Sequence, residues 1–218
     1  MIPITIVDNF YNDPYKIREL ALAQTYTRHD GAYWPGLRSP MLLDIDNNLY
    51  DKFIHKLLSV FFNLPGDQLG CNIDVFFQTT SEQYEEGWTH IDTDVSFAGV
   101  IYLTPEPLLD SGTSIYQENT VIGEYDQSPK VDFYNGKTSN LDEYRTLRNT
   151  HNLKFTKTMD IANVFNRLVV FSGNDWHKEN NFFGSTLDDS RLTQVFFVKL
   201  STYNNTNTPI IRVKTVIL

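Results

Sequence analysis

The chain has one cysteine, Cys71, so no internal disulfide can form and the fold must be held by its core. A single thiol is also what a reducing compartment favours. The expected location is therefore the cytoplasm, with the Asn204-Asn205-Thr206 sequon idle. No apolar run approaches the ~18 residues that span a bilayer, and no membrane partner is expected. The opening Met1-Ile2-Pro3-Ile4-Thr5-Ile6-Val7-Asp8 has no basic region and meets an acid too early for a signal peptide. Basic residues are in deficit: 18 Lys and Arg stand against 27 Asp and Glu, a net charge of −9. Proteins that grip nucleic acid neutralise phosphates with clustered cations. No such cluster occurs, so a protein side chain or a small molecule is a better substrate expectation than nucleic acid. A Ser-His-Asp motif, a phosphate-binding glycine loop and a Cys-x-x-Cys pair are also missing.

What is present is an ordinary globular composition, 41% hydrophobic and 21% charged over 218 residues. That length suits one domain, spanning 1–218, able to bury about 70% of the surface of its unfolded chain. Ile2 to Val7 reads as a short strand. Asn12-Asp13-Pro14 supplies a cap and a first-turn proline for a helix to about Thr25, with its apolar stripe through Ile17, Leu20 and Ala21. Tyr26 to Pro40 reads as an ordered, aromatic-rich loop. Leu49, Phe53, Leu57 and Phe61 recur at helical spacing and predict a helix over 47–63, ended by Leu64-Pro65-Gly66. From Cys71 the pattern turns to β, with strands expected at 71–78, 95–103, 114–117, 166–172, 191–200 and 208–217. Residues 119–153 are polar and read as an irregular insertion, with a helix near Leu141 to Arg148 capped by Asn140. Helical elaboration over 1–70 followed by strands gives an α+β protein with an all-β core.

The chemistry starts at His90-Ile91-Asp92. In an extended segment residues i and i+2 point the same way, so His90 and Asp92 can converge on one ion. Asp94 lies two residues further on and is an alternative ligand. The competing reading is a solvated histidine beside an acidic run. His177 follows the strand at Leu168 to Phe171. Two imidazoles and one carboxylate would occupy one face of an octahedral ion, an arrangement suited to non-heme Fe(II). Arg191 opens a strand whose alternate residues are Arg191, Thr193, Val195 and Phe197. An arginine on an otherwise apolar face needs an anion. Its guanidinium fork suits a carboxylate, although Asp188 or Asp189 offers a local partner.

Taken in order, His90-x-Asp92, His177 and Arg191-x-Thr193 resemble the 2-oxoglutarate/Fe(II)-dependent oxygenases. Gly99-Val100-Ile101-Tyr102-Leu103-Thr104 with Ser111-Gly112-Thr113, and Asn166 to Gly173 leading to His177, resemble the strands flanking their ligands. Ile6-Val7-Asp8-Asn9-Phe10, Asp13-Pro14 and Trp34-Pro35-Gly36-Leu37-Arg38-Ser39 resemble uncharacterised members often encoded by bacteriophages, which would place the chain in a host cytoplasm. The resemblance covers most of the chain outside 119–153. It implies a double-stranded β-helix (a cupin-like jelly-roll) with the N-terminal helices packed on it. It also implies a hydroxylase that uses O2 and 2-oxoglutarate and releases succinate and CO2. His90, Asp92 and His177 match the iron ligands. Arg191 matches the arginine for the distal carboxylate of 2-oxoglutarate, Thr193 the hydroxyl residue beside it, and Tyr102 a further contact. An acid at 92 speaks against halogenation.

Two other classes remain: a non-catalytic jelly-roll, either a binding module or a phage structural module, and a zinc hydrolase built on the same ligands. Arg38, Trp88 and Trp176 are candidates for the substrate mouth, against the alternative that the tryptophans pack the barrel rim. His29 reads as a turn or lid residue. His55 and His151 read as exposed, and Cys71 as core.

Overall fold

A computed structural model describes residues 3–62, 69–119, 127–138 and 140–203. The first strand, β1 (Thr5–Val7), leads into α1 (Pro14–Leu22), whose N-cap Asp13 accepts a hydrogen bond from the Lys16 amide. Then come β2 (Leu37–Met41), the single turn α2 (Leu42–Ile45), α3 (Asn47–Phe61) and the long strand β3 (Leu69–Thr80). The second half of the described chain holds β4 (Phe97–Tyr102), β5 (Thr113–Glu118), α4 (Ser128–Tyr134), α5 (Leu141–Asn152), β6 (Phe155–Ile161), β7 (Leu168–Ser172), β8 (Trp176–Glu179) and β9 (Arg191–Tyr203).

The strands form a six-stranded sheet, β1-β7-β4-β9-β3-β2, and a three-stranded sheet, β6-β5-β8, with every pairing antiparallel. These two facing sheets are the double-stranded β-helix expected from the sequence. Side-chain alternation divides the large sheet into two faces. Phe97 and Ile101 of β4, Leu168 and Val170 of β7, and Phe196 and Val198 of β9 point outward into a core with Phe10, Ile17, Phe53 and Leu57. That core seats α1 and α3. Ala98, Val100 and Tyr102 of β4, Val169 and Phe171 of β7, and Ile115 of β5 form the cluster inside the barrel. Gly99 lets the outer layer close. A Cβ there would stand 2.2 Å from the Val169 carbonyl oxygen and 2.4 Å from the Phe196 ring, so only glycine fits beneath that ring.

Several expectations are corrected. The aromatic loop of 26–40 ends in β2, where Arg38 pairs with Gln78. Its polar and proline-containing sequence hides a strand that sits at the sheet edge, the place where proline is tolerated. The insertion is not irregular: besides α5, capped by Asn140 as expected, it contains α4. Strand β6, between the insertion and β7, has only its two ends buried, so its sequence lacks an apolar run. His151 is buried, not exposed, because α5 packs down on the chain before His90. Cys71 is half-buried, and burial raises its thiol pKa. The helix end at 64–66, the sequon and the expected strand at 208–217 lie outside the described residues. Among the described residues no helix is long and apolar enough to cross a membrane.

Candidate active site

The His90-Ile91-Asp92 segment runs antiparallel to β8 for one bridge, His90 opposite His177. Their peptides exchange two hydrogen bonds of 2.9 Å. Directly opposed residues in such a pair project to the same side, and the two rings lie 4.3 Å apart between centroids. Asp92 reaches across both, with Oδ1 3.9 Å from His90 Nε2 and Oδ2 3.6 Å from His177 Nε2. The ligand atoms of all three lie within 4.8 Å of one another. Asp94, the alternative ligand, is exposed and lines a different groove with Tyr50, Cys71 and Lys199.

Backbone contacts fix this cluster. The Asp92 amide donates to the Gly173 carbonyl at 2.8 Å, and a Cβ on Gly173 would stand 2.1 Å from the Val95 oxygen. Each imidazole is aimed from behind: Nδ1 of His90 meets the Trp88 carbonyl at 2.7 Å, and Nδ1 of His177 meets the Asp175 carbonyl at 2.9 Å. A carbonyl only accepts, so Nδ1 carries the proton and the Nε2 lone pair faces the cluster, as in metal sites. Burial and the neighbouring His177 and Lys130 hold the His90 pKa well below the usual imidazole range, favouring the neutral, ligating form.

The insertion braces the same segment. Asn152 of α5 accepts from the Thr89 amide at 2.8 Å, and His151 Nε2 meets the Thr89 carbonyl at 2.7 Å. Trp88 is only 3% exposed, between Tyr144 and His151. It therefore sits in the aromatic cluster beneath α4 and α5, not at an opening. Trp176 is half-buried against Phe155, with ring centroids 4.6 Å apart.

Arg191 is 2% exposed. Its alternation with Thr193, Val195 and Phe197 on β9 faces the barrel interior, where Val195 and Phe197 pack on the inner cluster. Nε donates to the Ser111 carbonyl at 2.9 Å, and the guanidinium lies 5.4 Å from the Tyr102 ring centroid. Nη2 is buried without a hydrogen-bond partner. The local acids are engaged elsewhere: Asp188 pairs with Arg18, and Asp189 accepts from Ser185 and Thr186. A buried cation left this way costs several kcal/mol unless an anion completes it. The Tyr102 hydroxyl shares a 2.9 Å hydrogen bond with Thr113, and burial pushes its pKa up. Thr193 donates a long 3.3 Å hydrogen bond to the Gln78 carbonyl.

The structure adds two residues that the sequence reading passed over. Glu179 lies two positions after His177, and period-2 alternation puts it on the same inner face, opposite Thr113. Burial opposes its ionisation, but the fields of His90, Arg191 and His177 outweigh that and lower its pKa. Lys130 of α4 is 5% exposed, with its pKa pushed down to about 8 by burial, against the pull of Glu179 and Asp92. Arg38 also faces inward. Its Nε donates to Gln78 Oε1 at 2.7 Å and its guanidinium stacks 3.9 Å from the Trp34 ring centroid.

Residues 1–198 match the model of a family of unknown function, DUF6445. No curated protein matches the sequence. Among solved structures the chain is similar to HygX from Streptomyces hygroscopicus with nickel and 2-oxoglutarate bound, at TM-score 0.52 and 9% identity, covering 89% of this chain and 82% of that one. It is also similar to SnoN, a non-heme α-ketoglutarate-dependent epimerase from nogalamycin biosynthesis, at TM-score 0.55 and 11% identity, covering 92% and 79%. The shared fold is the double-stranded β-helix of the 2-oxoglutarate/Fe(II) oxygenases.

Proposed function

Because this chain belongs to DUF6445, a family of unknown function, and has an oxygenase fold, we propose that it is a 2-oxoglutarate- and Fe(II)-dependent oxygenase. The expected reaction is hydroxylation of a small molecule or protein side chain, with release of succinate and CO2. The observation that carries the proposal is Arg191: a cation sealed inside the barrel, with one nitrogen unmatched, in the same interior as a His/Asp/His cluster.

The residues fit both Fe(II) and 2-oxoglutarate. Two imidazoles with free Nε2 lone pairs and one carboxylate make a three-donor set that leaves the other positions of an octahedral ion open. His90, Asp92 and His177 would hold iron, and Arg191 the distal carboxylate of 2-oxoglutarate, with Tyr102 and Thr193 beside it. When bound, the pair supplies the oxidising power for O2 chemistry that side chains lack. The chain's own part is to orient and exclude. The Trp88 and Asp175 carbonyls hold the imidazoles, α5 holds the Thr89 peptide, and the Phe171 ring, 4.3 Å from that of His177, shields the cluster. An Arg191 engaged with Asp188 or Asp189 would favour a non-catalytic module, but both acids are taken up elsewhere; the zinc hydrolase is separated by which metal the His/Asp/His set retains. The likeness to phage-encoded members rests on sequence motifs alone.

The test is succinate formation under air by the iron-loaded protein with 2-oxoglutarate, even without the prime substrate, since such uncoupled turnover needs no substrate. Slow succinate release dependent on Fe(II), and absent in His177→Ala, supports the proposal. No succinate from a protein shown to bind both iron and 2-oxoglutarate contradicts it.

A further inference from the structure

Two further buried cations, Arg38 on the inner face of β2 and Lys130 on α4, are not used above. Arg38 is 8% exposed and Lys130 5% exposed, and neither forms an ion pair among the described residues. They arrive from different parts of the chain. Strand register sets Tyr102, Thr193, Gln78 and Arg38 in one lateral row across β4, β9, β3 and β2. Arg38 thus stands two strands from β9, or about 10 Å at ~4.8 Å per strand. That is too far for it to share the task of Arg191. Lys130 comes from the insertion. One turn on, Tyr134 is buried on the same side of α4 against Tyr84 and Tyr144. The adjacent Asn135 ties α4 to the loop before β2 by donating to the Ala32 carbonyl at 3.2 Å. The same two carboxylates, Asp92 and Glu179, act on both Arg38 and Lys130. The cluster that buries Tyr134 also holds Trp88, two residues before His90, so Lys130 approaches the metal cluster from α4 while Arg38 approaches it along the inner face from β2.

We propose that Arg38 and Lys130 form the anion clamp for the prime substrate, gripping a carboxylate or phosphate monoester near the metal cluster. This rests on the oxygenase reading above. With Asp92 committed to the metal and Arg191 to the cosubstrate, Glu179 is, among the described residues, the other acid that acts on both Arg38 and Lys130. It offsets one of the two free cations and leaves one positive charge for the substrate. Nothing else in the described structure binds the Arg38 Nη groups or the Lys130 ammonium. A guanidinium braced by Trp34 and Gln78 is pre-organised for a forked contact.

The experiment is an NMR titration of the full chain loaded with Zn(II) and saturating 2-oxoglutarate, using benzoate, phenyl phosphate and neutral benzamide as probes. The wild type is expected to bind benzoate or phenyl phosphate saturably and benzamide not at all; which anion binds tighter identifies the substrate's acidic group. Arg38→Gln and Lys130→Gln should each weaken that binding about tenfold or more, the range for losing a charge-assisted hydrogen bond. Lys130→Arg should keep most of it and Arg38→Lys clearly more than Arg38→Gln, though less than wild type because an ammonium lacks the fork, showing that charge and not folding is read. Calorimetric 2-oxoglutarate affinity, measured on the same samples, should fall in Arg191→Ala and stay unchanged in the Arg38 and Lys130 variants. The clamp is overturned if neither anion binds, if the Gln variants bind as well as wild type, or if they lose 2-oxoglutarate instead. If wild type fails to bind 2-oxoglutarate, the oxygenase reading fails, while anion binding to the Zn(II) protein still decides the clamp.

Discussion

His90 and His177 face each other across a single antiparallel bridge, each donating its amide to the other's carbonyl at 2.9 Å. This one pair joins the loop after β3 to the small sheet and delivers both imidazoles to the same side. Asp92 then needs only the two-residue alternation of an extended chain to reach them.

Metal binding should follow that geometry. His177→Ala and Asp92→Ala are each expected to lower Fe(II) affinity by tenfold or more, because three donors are the minimum the cluster offers. Asp94→Asn, on the exposed side, should change it little. Calorimetric titration under nitrogen separates the two aspartates.

Cosubstrate affinity should depend on Arg191 alone among the barrel cations. Arg191→Ala removes charge-assisted hydrogen bonds of about 1.5–3 kcal/mol, so 2-oxoglutarate should bind about 10- to 150-fold more weakly with iron affinity intact. Arg191→Lys should recover only part, since an ammonium lacks the fork.

Glu179 shares the interior with Arg191 and carries the charge that a dianion meets on entry. Glu179→Gln removes that repulsion, and 2-oxoglutarate should bind several-fold tighter to the metal-loaded protein. Weaker binding would mean that Glu179 serves the cosubstrate through a contact of its own.

Gly173 holds the turn against the backbone of 92–95. Gly173→Ala would push a Cβ to 2.1 Å from the Val95 oxygen and 2.9 Å from the Asp92 oxygen. Such overpacking costs about 1–3 kcal/mol. A lowered melting temperature should appear together with weakened metal binding, because the displaced segment carries Asp92, a proposed ligand.

The pH dependence of anion binding has a definite sign. Lys130 is cationic below its folded pKa of about 8 and loses its charge above it. The groups acting on it are Glu179 and Asp92, and the neighbouring imidazoles of His90 and His151 sense its charge in turn. Benzoate or phenyl phosphate binding should therefore weaken between pH 7 and 9 in wild type. Lys130→Arg should flatten that profile.

The strand that carries Arg191 was legible because its alternation is strong: Arg191, Thr193, Val195 and Phe197 do share the inner face. β8, which carries His177, was not, because four residues, Trp176–Glu179, with no apolar alternation are too short to signal a strand. The N-caps Asp13 and Asn140 were readable from side chains whose oxygens satisfy first-turn amides. β2 and β6 were not, since an edge strand with a proline and a strand with only its ends buried show no apolar rhythm. Lys130 and His151 were missed for a related reason. Polar residues on a short helix look solvated until the aromatic partners that bury them, Trp88, Tyr134 and Tyr144, are brought in from elsewhere. Glu179 had a readable signal, its two-residue spacing from His177, which matters only once β8 is known to line the interior.

The most direct test of the account is an anaerobic titration of the protein with Fe(II) and 2-oxoglutarate, followed by visible absorption. A weak charge-transfer band should grow to one equivalent of each, and it should vanish in His177→Ala and in Arg191→Ala at the same ligand concentration. A wild-type protein that binds iron but shows no band at saturating 2-oxoglutarate would contradict the central claim.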